Sequence, residues 1–157
     1  LKIIEGKTAS LIKTSAKLGA MASGCKQETI SSISKWAWHS GIIFQITDDI
    51  LDLSSDEKTL GKPSGNDIIE GTYTLPVLIA LEKYPEKINK ILSDISENKV
   101  GVNEVINEFN NDEIISESKL FLKTHLEKSE SAAKEIDNKT VRNILLDINT
   151  YLIERSN

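Results

Sequence analysis

Apolar residues recur at helical spacing along most of this chain. The pattern predicts helices over residues 2–23 and 28–53, a third helix from Thr74-Leu75-Pro76 to Pro85, and further helices over 86–97, 102–109, 112–136 and 139–155. No stretch sustains the alternation of apolar and polar residues that is typical of a strand. The predicted fold class is therefore all-α, a helical bundle in a single domain over residues 1–157.

Each helix presents an apolar face. In the first helix this face contains Ile3, Ile4, Leu11, Ile12, Leu18 and Met21. In the later helices the predicted buried faces contain Leu92, Ile95, Val105, Ile106, Leu120, Leu122, Leu126, Ile144, Leu145, Ile148 and Leu152. In the second helix, Trp36 and Trp38 are interpreted as anchors of a core or a subunit interface, and His39 as a packing or surface residue rather than a metal ligand.

The second helix carries the strongest polar feature of the sequence. At about 100° per residue, Gly41, Gln45, Asp48 and Asp52 fall on one stripe, with Asp49 at its edge. The opposite face is apolar and contains Ile42, Ile43, Ile46, Ile50 and Leu53. This separation predicts that one face packs into a core while the other presents an amide and two carboxylates.

Carboxylates one turn apart on a half-buried helix repel each other and lose hydration, so they destabilise the fold unless a cation lies between them. A divalent ion such as Mg²⁺ takes oxygen ligands and is often shared with substrate phosphates. Asp48, Asp49 and Asp52 are therefore candidate metal ligands. The alternative is a solvent-facing acidic turn near the end of a helix.

Two lysines are candidate phosphate-binding cations. Lys62 lies in the irregular, glycine-rich segment Ser54–Gly71, which has the length to fold back over the acidic face. Lys7 lies in the first helix among the small residues Gly6, Ala9 and Ser10, which would let another backbone or a ligand come close. The alternatives are a flexible surface loop around Lys62 and a solvated side chain at Lys7.

Charge and cysteine content restrict the class of protein. The net charge is −5 and the isoelectric point is about 5.1, which argues against a nucleic-acid partner. A single cysteine, Cys25, excludes an internal disulfide and fits a reducing compartment, so a cytoplasmic location is expected. The N-terminal residues resemble neither a signal peptide nor a membrane span. Because the first residue is Leu and the helical pattern starts at once, the chain is interpreted as part of something longer.

Three motifs, in order, resemble the trans-type polyprenyl diphosphate synthases. Lys7-Thr8-Ala9-Ser10 is similar to the lysine–threonine motif of that family, and the segment from Phe44-Gln45 to Asp52 is similar to its second aspartate-rich motif. Gly61-Lys62-Pro63 with Gly65 and Asp67, followed by Gly71 and Thr74-Leu75-Pro76, is similar to the lid and the helix that follows it. The resemblance is close over residues 4–81, and the remainder is a compatible helical tail.

The resemblance implies a bundle of the isoprenoid synthase type and the condensation of isopentenyl diphosphate with an allylic diphosphate, releasing pyrophosphate. It implies that Asp48 and Asp52 ligate Mg²⁺ and that Asp49 holds the water shell of the ion. It further implies that Lys7 and Lys62 bind the allylic diphosphate. It assigns Gln45 and Thr8 to stabilisation of the allylic cation through their dipoles.

Two departures from the family pattern matter. The first aspartate-rich motif is absent, and arginine occurs only at positions 142 and 155. The chain is therefore interpreted as the C-terminal half of a synthase, and this half is expected to be inactive by itself. The truncation is accordingly expected to leave apolar surface on the helices of residues 2–23 and 28–53, and this surface is expected to be hidden by another copy of the chain or by rearranged helices. Thr72 stands where many short-chain members have lysine.

Three classes of function remain in view from the sequence. The first is a magnesium-dependent prenyltransferase that forms a homodimer or a heterodimer with an accessory subunit. The second is a non-catalytic subunit that binds a complete partner, although such subunits usually lose the aspartates that this chain keeps. The third is a helical interaction domain, which would leave the loop glycines and lysines unexplained.

Overall fold

The computed structural model describes residues 5–54, 65–97, 99–100 and 102–155. Every regular element within these ranges is helical, which confirms the all-α prediction. A π-helical turn, Glu5–Ala9, leads directly into the first α-helix. The α-helices are α1 Ser10–Ala22, α2 Gln27–Ser54, α3 Asn66–Ile69, α4 Leu75–Lys83, α5 Pro85–Ser96, α6 Val102–Phe109, α7 Asp112–Lys134 and α8 Lys139–Glu154.

The helix boundaries follow the sequence signals closely. Helix α1 ends at Ala22, just before the predicted stop signal Gly24, which takes a left-handed φ of +69°. The N–H of Gly24 donates to the Met21 carbonyl at 3.0 Å. The π-helical turn was not predicted. The short helix α3 lies inside the segment that the sequence analysis assigned as irregular.

The chain divides into two compact units, Leu1–Thr47 with Phe121–Asn157, and Asp48–Leu120. The division falls within α2, between Thr47 and Asp48, and within α7, between Leu120 and Phe121. The single domain expected over residues 1–157 stays a prediction.

The core of the first unit is built around Trp36 of α2. Its indole N–H donates to the carbonyl of Leu145 in α8 at 3.2 Å. Trp36 therefore anchors the core, which was one of the two roles predicted for it. The buried residues packed with it are Ala37, Ala132, Ala133, Ile136 and Leu145.

A buried polar network joins three helices of this unit. Ser40 Oγ of α2 donates to Asn149 Oδ1 of α8 at 2.8 Å, and Asn149 Nδ2 donates to Ser129 Oγ of α7 at 3.0 Å. Ser40 and Ser129 are 2.9 Å apart. Because all three side chains are buried and satisfied, the network fixes how these helices align.

The second unit has its own buried apolar residues, and an ionic contact joins two of its helices. Lys83 of α4 lies 3.1 Å from Glu113 and 2.7 Å from Glu117, both on α7. These charges are partly exposed, so the contact contributes little to stability. The buried apolar side chains of this unit include Ile50, Leu53, Ile68, Leu75, Val77, Ile79, Ala80, Ile88, Ile106, Phe109 and Ile114.

Several apolar side chains are exposed. On α1, Leu11, Leu18 and Met21 are 66%, 58% and 52% exposed, which confirms the expected apolar surface on the described part of that helix. The apolar side chains of α2, by contrast, are buried or half-buried within the chain itself. The predicted burial is wrong for Leu120, Ile144 and Ile148, which are exposed, because helical spacing identifies an apolar stripe without identifying what covers it.

His39 of α2 pairs with a second histidine. Its Nδ1 lies 3.0 Å from Nδ1 of His125 in α7, so one ring donates to the other. Burial, followed by the proximity of His125 and Lys128, lowers the pKa of His39 from 6.5 to about 4. The partner was not predicted, because the two histidines are 86 residues apart.

This histidine pair predicts a loss of stability in mild acid. Because the pKa of His39 is lower in the folded chain than in the unfolded chain, unfolding takes up a proton between pH 6.5 and 4. The free energy of unfolding should therefore fall by about 1 kcal/mol as the pH drops through that window, after allowance for partial exposure. Urea unfolding at pH 6.5 and at pH 4 measures this fall in the free energy of unfolding. His39→Asn keeps a polar side chain and should lose about 1 kcal/mol less than the parent; an equal loss in both proteins would contradict this interpretation.

Candidate functional site

The π-helical turn packs directly on α2. A Cβ built on Gly41 would lie 2.7 Å from the Cα of Ala9, closer than real side chains approach. Ala9 and Gly41 are both buried. The prediction that small residues in this turn allow another backbone to come close is therefore confirmed at Ala9, whereas Gly6 has no such neighbour among the described residues.

This close approach brings two of the predicted site residues together. Thr8 Oγ1 donates to Gln45 Oε1 at 2.7 Å. Thr8 is half-buried and the Gln45 side chain is buried. The bond fixes the amide with its oxygen toward Thr8 and its NH₂ group directed elsewhere. Lys7 lies in the same turn and is exposed.

The three aspartates differ in their exposure. Asp48 is half-buried, whereas Asp49 and Asp52 are each only 2% exposed. The prediction that the polar face of α2 is open is therefore wrong for most of its residues. Gly41, Gln45 and Asp52 are buried. A helix that is covered all round buries its polar stripe along with its apolar one, and periodicity alone does not distinguish the two cases.

Asp49 has a structural contact that the sequence analysis missed. Its Oδ2 accepts a hydrogen bond from the N–H of Leu75, the first residue of α4, at 3.1 Å. Thr74 occupies the predicted N-cap position in extended conformation, but its hydroxyl makes no capping bond and has no hydrogen-bond partner in the described part of the chain. The start of α4 is therefore capped by a carboxylate from α2.

Removing this cap should destabilise the protein. Asp49→Ala leaves the buried Leu75 N–H without its acceptor, which predicts a loss of about 1–2 kcal/mol. Asp49→Asn retains an oxygen acceptor and should lose less than half as much. Chemical unfolding of the two variants and the parent provides the comparison. Equal stability of Asp49→Ala and the parent would contradict a capping role.

The end of α2 is also held by the backbone of the following segment. The N–H of Gly65 donates to the Asp52 carbonyl at 2.9 Å, and Gly65 takes a φ of +71°, where a glycine is favoured. The predicted lid residues Gly61, Lys62 and Pro63 lie outside the described residues. Lys62 therefore stays a predicted diphosphate ligand.

The three aspartates suit Mg²⁺ because of the type of atom that they offer, and not because their side chains are already arranged around an ion. Asp48, Asp49 and Asp52 offer only oxygen atoms, which Mg²⁺ prefers, and this ion usually keeps several waters and takes one or two carboxylates. Over the described ranges, no three His, Cys, Asp or Glu side chains are grouped closely enough to hold a metal. Asp48, the half-buried member of the three, is the best candidate for direct contact with an ion from solvent.

None of the described helices is both long and apolar enough to cross a bilayer.

Comparison with known proteins gives one consistent family. Residues 1–112 match the family model described as polyprenyl synthetase. Component 2 of heptaprenyl diphosphate synthase from Bacillus subtilis is 33% identical over 155 residues, which are 99% of this chain and 44% of that protein.

Solved structures agree with this family. The heptaprenyl diphosphate synthase of Staphylococcus aureus superposes with a TM-score of 0.88 at 32% identity, covering 98% of this chain and 49% of that one. The geranylgeranyl pyrophosphate synthase of Corynebacterium glutamicum, solved with calcium and isoprenyl diphosphate, gives a TM-score of 0.83 at 27% identity, covering 98% and 49%. This chain thus spans about half the length of these relatives. By sequence and by fold, the chain belongs to the polyprenyl synthetase family.

Proposed function

We propose that this chain forms the diphosphate- and magnesium-binding half of a prenyltransferase that condenses isopentenyl diphosphate with an allylic diphosphate and releases pyrophosphate. The observation that carries this proposal is the set of three aspartates, Asp48, Asp49 and Asp52, retained within one turn of α2. They occur in a chain that is 33% identical to a prenyl diphosphate synthase component over 99% of its own length.

The proposed roles follow from exposure and bonding. Asp48 is the accessible carboxylate and would hold Mg²⁺ together with Asp52, while Asp49 would fix the ion's water shell through its oxygen that does not face Leu75. The bound ion would neutralise the charge of the diphosphate leaving group. Lys7 is exposed at the π-helical turn and is proposed to bind the diphosphate, with Lys62 as the second cation.

Thr8 and Gln45 are proposed to stabilise positive charge on the substrate. Their mutual hydrogen bond holds both side chains in fixed orientation before any ligand arrives. Fixed dipoles stabilise developing charge more effectively than mobile ones, because they need no reorganisation during the reaction. The same bond ties the lysine–threonine motif to the aspartate-bearing helix.

A partner subunit is a second part of the proposal. The Bacillus subtilis relative is named as component 2 of its synthase, which favours assembly with another polypeptide, as a homodimer or with an accessory subunit. A non-catalytic role for this chain is the alternative, favoured by that name alone. The retained aspartates and Lys7 favour the catalytic role.

A chimera tests the catalytic proposal. The 157 residues would replace the part of the Staphylococcus aureus synthase on which they superpose, which is 49% of that chain. We expect the chimera to release pyrophosphate from isopentenyl and farnesyl diphosphate in a magnesium-dependent reaction, and the 157-residue chain alone to release none. A folded chimera without turnover would reject the catalytic role and favour a non-catalytic subunit.

Magnesium binding has a test that does not depend on turnover. Mg²⁺ with pyrophosphate should raise the melting temperature of the chimera, because a ligand that binds only the folded state stabilises it. Asp48→Ala should reduce this shift. A shift of the same size in both proteins would place the metal elsewhere.

A further inference from the structure

A basic cleft lies between α1 and α2, apart from the residues proposed for catalysis. Its volume is about 370 Å³, within the range of small-molecule sites. Lys13 and Lys17 of α1 form one wall, and Ser31, Lys35 and Trp38 of α2 form the other. None of the described residues that line it is among Lys7, Thr8 and Gln45.

The charge of this cleft contrasts with that of the whole chain. Three lysines line it and none of the described lining residues is acidic, although the net charge of the protein is −5. Lys13 and Lys17 are one helical turn apart, a spacing at which like charges destabilise a helix. A site that concentrates cations in an acidic protein is suited to an anion.

The contacts described for these lysines within the protein neutralise their charge only weakly. Lys35 lies 3.8 Å from Glu135, and both side chains are more than half exposed, so this pair contributes little and exchanges readily for another anion. The Lys13 ammonium lies 5.0 Å from the centre of the Trp38 ring. This cation–π contact holds the ammonium at the wall of the cleft without cancelling its charge.

Polar side chains complete the lining. Ser31 and Gln27 line the cleft from α2 and supply neutral donors beside the three lysines. A compact anion with several oxygens matches this combination of three ammonium groups and neutral donors, and phosphate-type groups have that chemistry.

We propose that this cleft is a binding site for a phosphate or diphosphate group, separate from the aspartates. The group belongs either to a soluble phosphorylated molecule or to an anionic lipid headgroup. The inference goes beyond the proposed prenyl transfer and does not depend on it, since it requires neither Mg²⁺ nor any aspartate.

The test is a titration of the 157-residue chain with inorganic pyrophosphate in the absence of Mg²⁺, carried out on the Asp48→Ala variant so that the aspartate site does not contribute. Trp38 lines the cleft and reports binding through its fluorescence. We expect saturable binding that weakens at least tenfold in Lys13→Gln/Lys17→Gln. Lys119→Gln/Lys123→Gln, an exposed pair with the same spacing on α7, is the matched control and should bind like the parent.

The outcomes separate the two sources of phosphate. Saturable pyrophosphate binding that requires Lys13 and Lys17 supports a soluble ligand. Lysine-dependent sedimentation with phosphatidylglycerol vesicles, without sedimentation on phosphatidylcholine, supports a headgroup. Equal binding by the Lys13→Gln/Lys17→Gln variant and its control, or no binding in either assay, overturns the proposal. Because prenyl transfer is tested separately in the chimera, either proposal can fail while the other stands.

Discussion

Asp48→Ala should reduce the turnover of the chimeric synthase by about 10²–10³-fold, because charge neutralisation at a leaving group is a large catalytic term. Asp48 is half-buried, whereas Asp49 and Asp52 are almost fully buried, so it is the carboxylate best placed to reach a metal from solvent. Steady-state release of pyrophosphate at saturating Mg²⁺ measures the effect.

The same substitution should leave folding intact. Removing one of two carboxylates a helical turn apart relieves repulsion, so the melting temperature without Mg²⁺ should be unchanged or slightly higher. Asp147→Ala removes an exposed helical aspartate on α8 and serves as the control, with turnover like the parent. Near-normal turnover in Asp48→Ala would remove this residue from the metal site.

Gly41→Ala should destabilise the protein by about 1–2 kcal/mol, because the added methyl group meets the backbone of Ala9. The new Cβ would lie 2.7 Å from the Cα of Ala9. Overpacking of this kind costs about 1–3 kcal/mol or more, and it exceeds the gain of about 1 kcal/mol in helix propensity. Thermal unfolding should show a melting temperature roughly 2–8 °C lower.

Gly19→Ala is the matched control for this substitution. Gly19 also lies within a helix, but nothing among the described residues lies within 4 Å of a Cβ built there. This variant should gain about 0.5–1 kcal/mol from helix propensity alone. If both variants gained stability, the contact between the π-helical turn and α2 would not be as tight as described.

The helices were predictable from the sequence because their signals are local. Gly24 ends α1 and Pro76 lies in the first turn of α4, each within a residue or two of the predicted position. The family resemblance assigned Thr8 and Gln45 to one role, but their mutual hydrogen bond was not predicted. Local spacing contains no information about contacts between residues 37 positions apart.

The remaining features depended on tertiary contacts. Asp49 was expected at the edge of an open face, and instead it caps α4 through Leu75, 26 residues later. His125 gave no signal as a partner of His39, because neither histidine lies at a metal-ligand spacing from another ligand. Leu120 and Ile144 were predicted to be buried and are exposed. An apolar stripe marks a surface that needs a partner, but it does not identify that partner.

The π-helical turn Glu5–Ala9 also has a consequence for how this sequence tolerates insertions and deletions. Its backbone bonds close over one more residue than an α-helical turn, so it acts as a single-residue insertion in the helical register ahead of α1. A one-residue deletion is a change that such a turn can absorb, whereas α-helical bonding over the same five residues would rotate Lys7 and Thr8 relative to α1. Lys7 and Thr8 would then no longer keep the phase that places Thr8 on Gln45, although every apolar position of α1 would remain unchanged.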